Sequence, residues 1–147
     1  MRQIVAVAVL ALAVSGLARA DDVGQIKTAK GTVHVERDGK RLPAKVGMTI
    51  RQSDTLVTGA DGSAGVTFSD NSLLSTGPNS VLVVEHYSFD TTTHAGKFDA
   101  ALRKGTLAVV SGKMVKQSPG AMRVRTPAAI MGVRGTDFVV QVDEPAK

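Results

Sequence analysis

Residues 55–89 read TLVTGADGSAGVTFSDNSLLSTGPNSVLVVEHYSF, and the punctuation of this stretch decides the fold. Thr55 to Thr58 is a short β-prone run, Asp61-Gly62 a turn, Ala64 to Ser69 a strand around Val66 and Phe68, and Asp70-Asn71 a second turn before the strand Ser72 to Thr76. Gly77-Pro78-Asn79 closes that strand, because proline fixes φ and carries no amide donor, and Ser80 to Phe89 opens a longer one. Strands recurring about every ten residues, with no helical period between them, predict an all-β fold.

The same pattern continues on both sides. Gly31 to Arg37 places Val33 and Val35 on one face and Thr32, His34 and Glu36 on the other, and Asp38-Gly39 predicts a tight turn. Lys97 to Lys104 is open to two readings. Phe98, Ala101 and Leu102 fit a helical i, i+3, i+4 spacing, but two turns between Gly96 and Gly105 are marginal as an isolated helix, so strand is preferred. From Gly105 the expected strands are Leu107 to Val110, Lys113 to Lys116 after a Ser111-Gly112 turn, Met122 to Thr126, and Thr136 to Val142. Met122 and Val124 alternate with Arg123 and Arg125, and Pro127 ends that strand or marks it as an edge. Glu144 to Lys147 is a polar end expected to fray.

One internal echo is visible. Lys30-Gly31-Thr32-Val33-x-Val35 returns as Lys104-Gly105-Thr106-Leu107-x-Val109, 74 residues later, and Arg134-Gly135-Thr136 starts a third strand whose apolar set Phe138, Val140 and Val142 has the opposite phase. The echo suggests two similarly built β layers; no fixed period supports a regular long repeat array.

The 147 residues suit one domain. With 18 Lys+Arg against 13 Asp+Glu the formal charge is +5, which raises a nucleic-acid or anionic-surface partner, but one Tyr, four Phe and no Trp leave few rings for stacking bases. The absence of Cys removes disulfides, thiolate nucleophiles and Cys-based zinc sites together. Residues 1–20 read as a cleavable export signal: Arg2, the apolar run Ile4 to Leu17, and Ala18-Arg19-Ala20 before Asp21. That run is shorter than the roughly 20 residues of a spanning helix. Cleavage would leave a domain of residues 21–147 with charge +3, soluble in the periplasm, or secreted beyond it as the alternative, with no membrane span of its own.

An enzyme is not expected. His34, His86 and His94 lack H-E-x-x-H spacing, and Gly62-Ser63-Ala64-Gly65 lacks the geometry of G-x-S-x-G. Asp61 and Asp70-Asn71 are turn formers before they are calcium ligands, and the three Glu (Glu36, Glu85, Glu144) offer little for a paired-carboxylate site. No catalytic residue, cofactor or metal is assigned.

Four passages in order carry a family resemblance: Gly31-Thr-Val; Val46-Gly47-Met48 with Gln52-Ser53-Asp54-Thr55-Leu-Val-Thr58-Gly59; Ala64 to Ser72 ending in Asp70-Asn71-Ser72; and Thr126-Pro127-Ala-Ala-Ile-Met-Gly132-Val-Arg134-Gly135-Thr136-Asp-Phe138. Over about residues 24 to 142 the chain resembles the FecR domain, the last passage being the most specific. Asn71 stands where the family usually has Gly, and Asn tolerates the positive φ of such a turn. FecR regulators are similar to a three-part device: a cytoplasmic anti-sigma segment, one membrane helix, and a periplasmic domain that contacts the signalling domain of a TonB-dependent transporter. This chain resembles only the periplasmic β part, so the resemblance implies a stand-alone exported form with no direct sigma-factor contact. It also implies short strands stacked as a β-solenoid-like or sandwich-like domain.

Two roles are open for the signature passage. Structurally, Thr126-Pro127 sets an extended entry, Gly132, Gly135 and Thr136 shape the backbone, and Arg134 bridges loop carbonyls or Asp137. Functionally, Arg123, Arg125 and Arg134 form a basic strip facing a partner. The leading expectation is a non-enzymatic exported domain that binds or senses an envelope partner through a β edge, linked to signalling or transport regulation. The alternative is a structural or adhesive module holding an anionic polymer through Arg123, Arg125 and Lys113.

Overall fold

The computed structural model describes residues 22–134 and 137–143; the expected leader over 1–20 and the polar tail over 144–147 lie outside them. In chain order the elements are β1 (Asp22–Lys30), β2 (Val33–Arg37), β3 (Lys40–Pro43), β4 (Thr49–Arg51), β5 (Thr55–Thr58), β6 (Ser63–Phe68), β7 (Leu73–Thr76), β8 (Val81–Phe89), β9 (Gly96–Val110), α1 (Lys113–Gln117), β10 (Met122–Arg125), β11 (Ile130–Gly132) and β12 (Asp137–Val142). The all-β expectation holds. Every neighbour is antiparallel except β9 and β10, and the sheet order is β3-β2-β5-β8-β9-β7-β6-β1-β4. Along β9, residues 98–101 pair with both β8 and β10, and residues 107–110 pair with both β7 and β12.

The sheet curls into a half-barrel along one crease, and the sequence echo marks it. β1 passes into β2 at Gly31-Thr32, β5 into β6 at 59–62, β7 into β8 at 77–80, and β9 runs through Gly105-Thr106. Val33 pairs with Thr58 and Lys30 with Ser63; likewise Leu107 pairs with Thr76 and Lys104 with Val81. The hydrogen bonds repeat as well. Gly59 N–H donates to the Thr32 carbonyl at 2.9 Å and Gly77 N–H to the Thr106 carbonyl at 3.1 Å. Thr32 N–H donates to Asp61 Oδ1 at 3.2 Å, and Thr106 N–H to Ser80 Oγ at 3.0 Å. Gly31 and Gly105 both sit at positive φ (64° and 90°), and a Cβ would run into the Asp61 carbonyl oxygen at one and the Ser80 hydroxyl at the other. Each Lys-Gly-Thr is thus a corner where two chains cross closely.

Folding the sheet brings its halves together on an aromatic trio. Phe68 of β6 lies 4.6 Å from Phe98 of β9 and 5.5 Å from Tyr87 of β8, and Tyr87 lies 5.0 Å from Phe98. Three of the chain's five aromatic rings sit here, so a ring-poor sequence concentrates them where they bury most area.

Two local expectations change. Lys113 to Lys116 is not a strand: residues 113–117 form one helical turn, because adjacent Met114 and Val115 are both buried and a strand would send them to opposite faces. Lys97 to Lys104 is a strand, as preferred, and it continues through Gly105 instead of ending there. β1, β3, β4 and β11 escaped the sequence reading, although the Asp38-Gly39 turn before β3 was expected; in β1 a register shift between Ile26 and Thr28 breaks the alternation. Asn71 takes φ 67°, as its turn requires.

Candidate functional site

The signature passage becomes a hairpin and a return crossing. β10 buries Met122 and Val124 and exposes Arg123 and Arg125, as its alternation demands. Thr126 ends it: its N–H donates to the Ala129 carbonyl at 2.8 Å and its hydroxyl accepts the Ala129 N–H at 3.1 Å, with Pro127 inside the loop. The chain returns as β11 against β10, Arg123 opposite Gly132 and Arg125 opposite Ile130. Among the described residues a Cβ at Gly132 would meet nothing within 4 Å, and its φ is not positive, so no close approach to them explains this glycine. Gly135 and Thr136 lie outside the described residues. Arg134 is exposed and has no ion pair among the described residues, with Asp137 or otherwise.

The basic strip is largely compensated. Arg123 Nε donates to Asp99 Oδ1 at 3.1 Å and Arg125 Nη2 lies 3.1 Å from Glu85 Oε2, so two neighbouring strands return the charge that β10 presents. Lys97 adds a contact to Asp99 at 3.6 Å. Arg123, Arg125, Asp99 and Glu85, together with Ala100 and Ile130, line a shallow cleft whose sign alternates across the strands. Such exposed pairs stabilise by at most about 1 kcal/mol each, and they screen the strip from an anionic polymer.

The carboxylates of the second and third family-like passages, Asp54 and Asp70, are inside and occupied. Asp54 is buried and takes a two-pronged contact from Arg37 (Nε to Oδ1 2.9 Å, Nη2 to Oδ2 2.6 Å) plus the Arg51 N–H at 2.9 Å. Donating hydrogen bonds to the Asp54 carboxylate raises the Arg37 pKa above its ordinary value. Asp70 is buried and accepts the Ser72 N–H at 3.0 Å, the Ser72 hydroxyl at 2.7 Å and the Tyr87 hydroxyl at 3.3 Å. Burial first, and then the Asp70 carboxylate, push the Tyr87 hydroxyl above its usual range. Both aspartates staple turns to neighbouring strands. Among the described residues no cluster of three His, Cys, Asp or Glu could hold a metal ion, and no helix is long and apolar enough to cross a membrane.

The feature that composition did not reveal is the contrast among strand edges. Among the described residues β3, β4, β11 and β12 have a neighbour on one side only. β3 is guarded by Lys40, Arg41 and Pro43; β4 and β11 are three residues each. β12, Asp-Phe-Val-Val-Gln-Val over 137–142, has six residues and carries no Lys, Arg or Pro. Its outward Val139 is 67% exposed, and across the strand pair the exposed Val110 on β9 extends the apolar surface. On the inner side Phe138 and Val142 are half-buried, whereas Leu107 and Val109 one strand inward are sealed. A strand of this length free of guarding residues was the signal available in the sequence.

Among protein-family models, the one described as FecR protein matches residues 54–147. Comparison with curated proteins and with solved structures brings no match.

Proposed function

The chain belongs to the FecR family, a regulatory and signalling family associated with the cell envelope, and from that premise we propose that it is an exported, non-enzymatic domain that binds a protein partner in the periplasm. The unguarded β12 edge carries the proposal. A sheet edge offers a row of backbone donors and acceptors that a partner's extended segment completes, while side chains on alternating faces select which segment. Export is supported by the leader-like residues 1–20. A non-catalytic role is supported by the occupancy of Asp54 and Asp70, which spends the buried carboxylates on structure.

Binding of an anionic polymer through Arg123, Arg125, Arg134 and Lys113 ranks second. Only the exposure of Arg134 and Lys113 favours it, since Asp99 and Glu85 face the two strand arginines.

The test is a photo-crosslinking residue placed at position 139 of the full chain and, separately, at position 41 on the guarded edge. Illumination of intact cells should give a discrete protein adduct from position 139 and none from 41. No adduct at 139, or a polysaccharide smear that disappears when Arg123 and Arg125 are reversed in charge, would reject protein binding at this edge.

A further inference from the structure

We infer that the occupant of the β12 edge is a strand with a cation at each end, six residues apart, and mainly apolar side chains between them. The inference rests on the proposed partner-binding role and specifies its chemistry.

The alternation of β12 fixes the pattern. Asp137, Val139, Gln141 and Asp143 share the outer, exposed side; Phe138, Val140 and Val142 point toward the core. Residues directly opposite on antiparallel strands project to the same face, so an added strand meets Asp143, Gln141, Val139 and Asp137 in that order on its outer side. On this outer side the two ends are therefore acidic, and between them polar Gln141 stands beside apolar Val139. Among the described residues neither Asp137 nor Asp143 has an ion pair; Asp143 accepts the Gln141 side-chain amide at 3.1 Å, and Arg103 lines the same cleft without pairing with it. On the inner side, half-buried Phe138 and Val142 leave room for apolar side chains to seal the lip of the core.

This pattern separates the occupant from a second copy of the chain. In the self-pairing that overlaps all of 137–143, Asp137 of each copy faces Asp143 of the other, and the alternative centred on Val139 still gathers four carboxylates with no cation on either strand. A basic strand turns the same four positions into opposite-charge pairs.

The experiment uses the purified full-length protein and three end-capped peptides: Lys-Val-Thr-Val-Val-Val-Lys, its Glu-ended counterpart, and the Lys-ended peptide N-methylated at alternate amides. Binding is read by fluorescence anisotropy, with sedimentation of the protein alone as a check for self-association. The Lys-ended peptide should bind about fivefold more tightly than the Glu-ended one. N-methylation should abolish binding, because it removes backbone donors. Asp137→Lys combined with Asp143→Lys, both exposed, should reverse the preference. Equal affinity for the Lys- and Glu-ended peptides, undiminished binding of the N-methylated one, or a concentration-dependent dimer abolished by Val139→Lys would overturn the inference. Such a failure beside a discrete photo-adduct at 139 would leave the partner-binding role standing and remove only the charge pattern.

Discussion

Replacing Gly105 by alanine tests the crease that organises the whole sheet. At φ 90° an alanine pays about 1–2 kcal/mol for the left-handed backbone. Its Cβ also displaces the Ser80 hydroxyl, which accepts the Thr106 N–H at 3.0 Å and donates to the Gly77 carbonyl at 2.9 Å. Losing those bonds costs about 1 kcal/mol each. The substitution should therefore destabilise by roughly 3–4 kcal/mol. Gly31→Ala, with the same strain but one side-chain bond at stake, from Thr32 N–H to Asp61, should cost roughly 2–3 kcal/mol. Gly132→Ala is the control: its site is open and its φ ordinary, so it should be neutral or stabilising by up to about 1 kcal/mol. With one Tyr and no Trp, unfolding is best followed by far-ultraviolet circular dichroism in urea. At an m-value of about 2 kcal/mol/M, Gly105→Ala lowers the midpoint by roughly 1.5–2 M. A cost under about 1 kcal/mol at both corners, or an equal cost at Gly132, would refute the crossing geometry assigned to the repeated Lys-Gly-Thr.

Asp54→Asn removes the counter-charge of the Arg37 guanidinium in a nearly closed site and should cost about 3 kcal/mol by urea unfolding. For Tyr87, a proton held more tightly in the folded state means that its contribution is fully present below the unfolded phenol value near 10 and is lost as pH rises above it. Stability measured across pH 9 to 12 should therefore fall above about pH 10, and Tyr87→Phe should flatten that decline. Arg123→Ala and Arg125→Ala should each change stability by less than about 1 kcal/mol, with the residual effect vanishing in high salt.

The legible part of this fold is the part written in alternation and turn residues. Val33 and Val35, Met122 and Val124, and Phe138, Val140 and Val142 occupy the faces that a period of two assigns them. Lys113 to Lys116 misled because lysines flanking two apolar residues fit either a strand or one helical turn, and only the burial of both Met114 and Val115 decides between them. The echo at Gly31 and Gly105 was visible, but its meaning as a crease depends on Asp61 and Ser80, which arrive from turns well separated in the chain. The candidate site shows the same division. Exposure of Arg123 and Arg125 followed from alternation, while their neutralisation by Asp99 and Glu85 followed from sheet order, which alternation does not encode. β12 was expected as a strand, yet its standing as an unguarded edge appears only once every other strand has been given its neighbours.

Amide hydrogen exchange of the full-length protein, with and without the Lys-ended strand peptide, tests the edge-pairing account most directly. On an edge strand, amides facing away from β9 lack a partner, so β12 should hold an alternating set of fast-exchanging sites within 137–142. The account predicts that peptide binding slows this set while Arg123 and Arg125 on β10 stay unchanged. Unaltered exchange across β12, or protection appearing instead along β10 and β11, would contradict it.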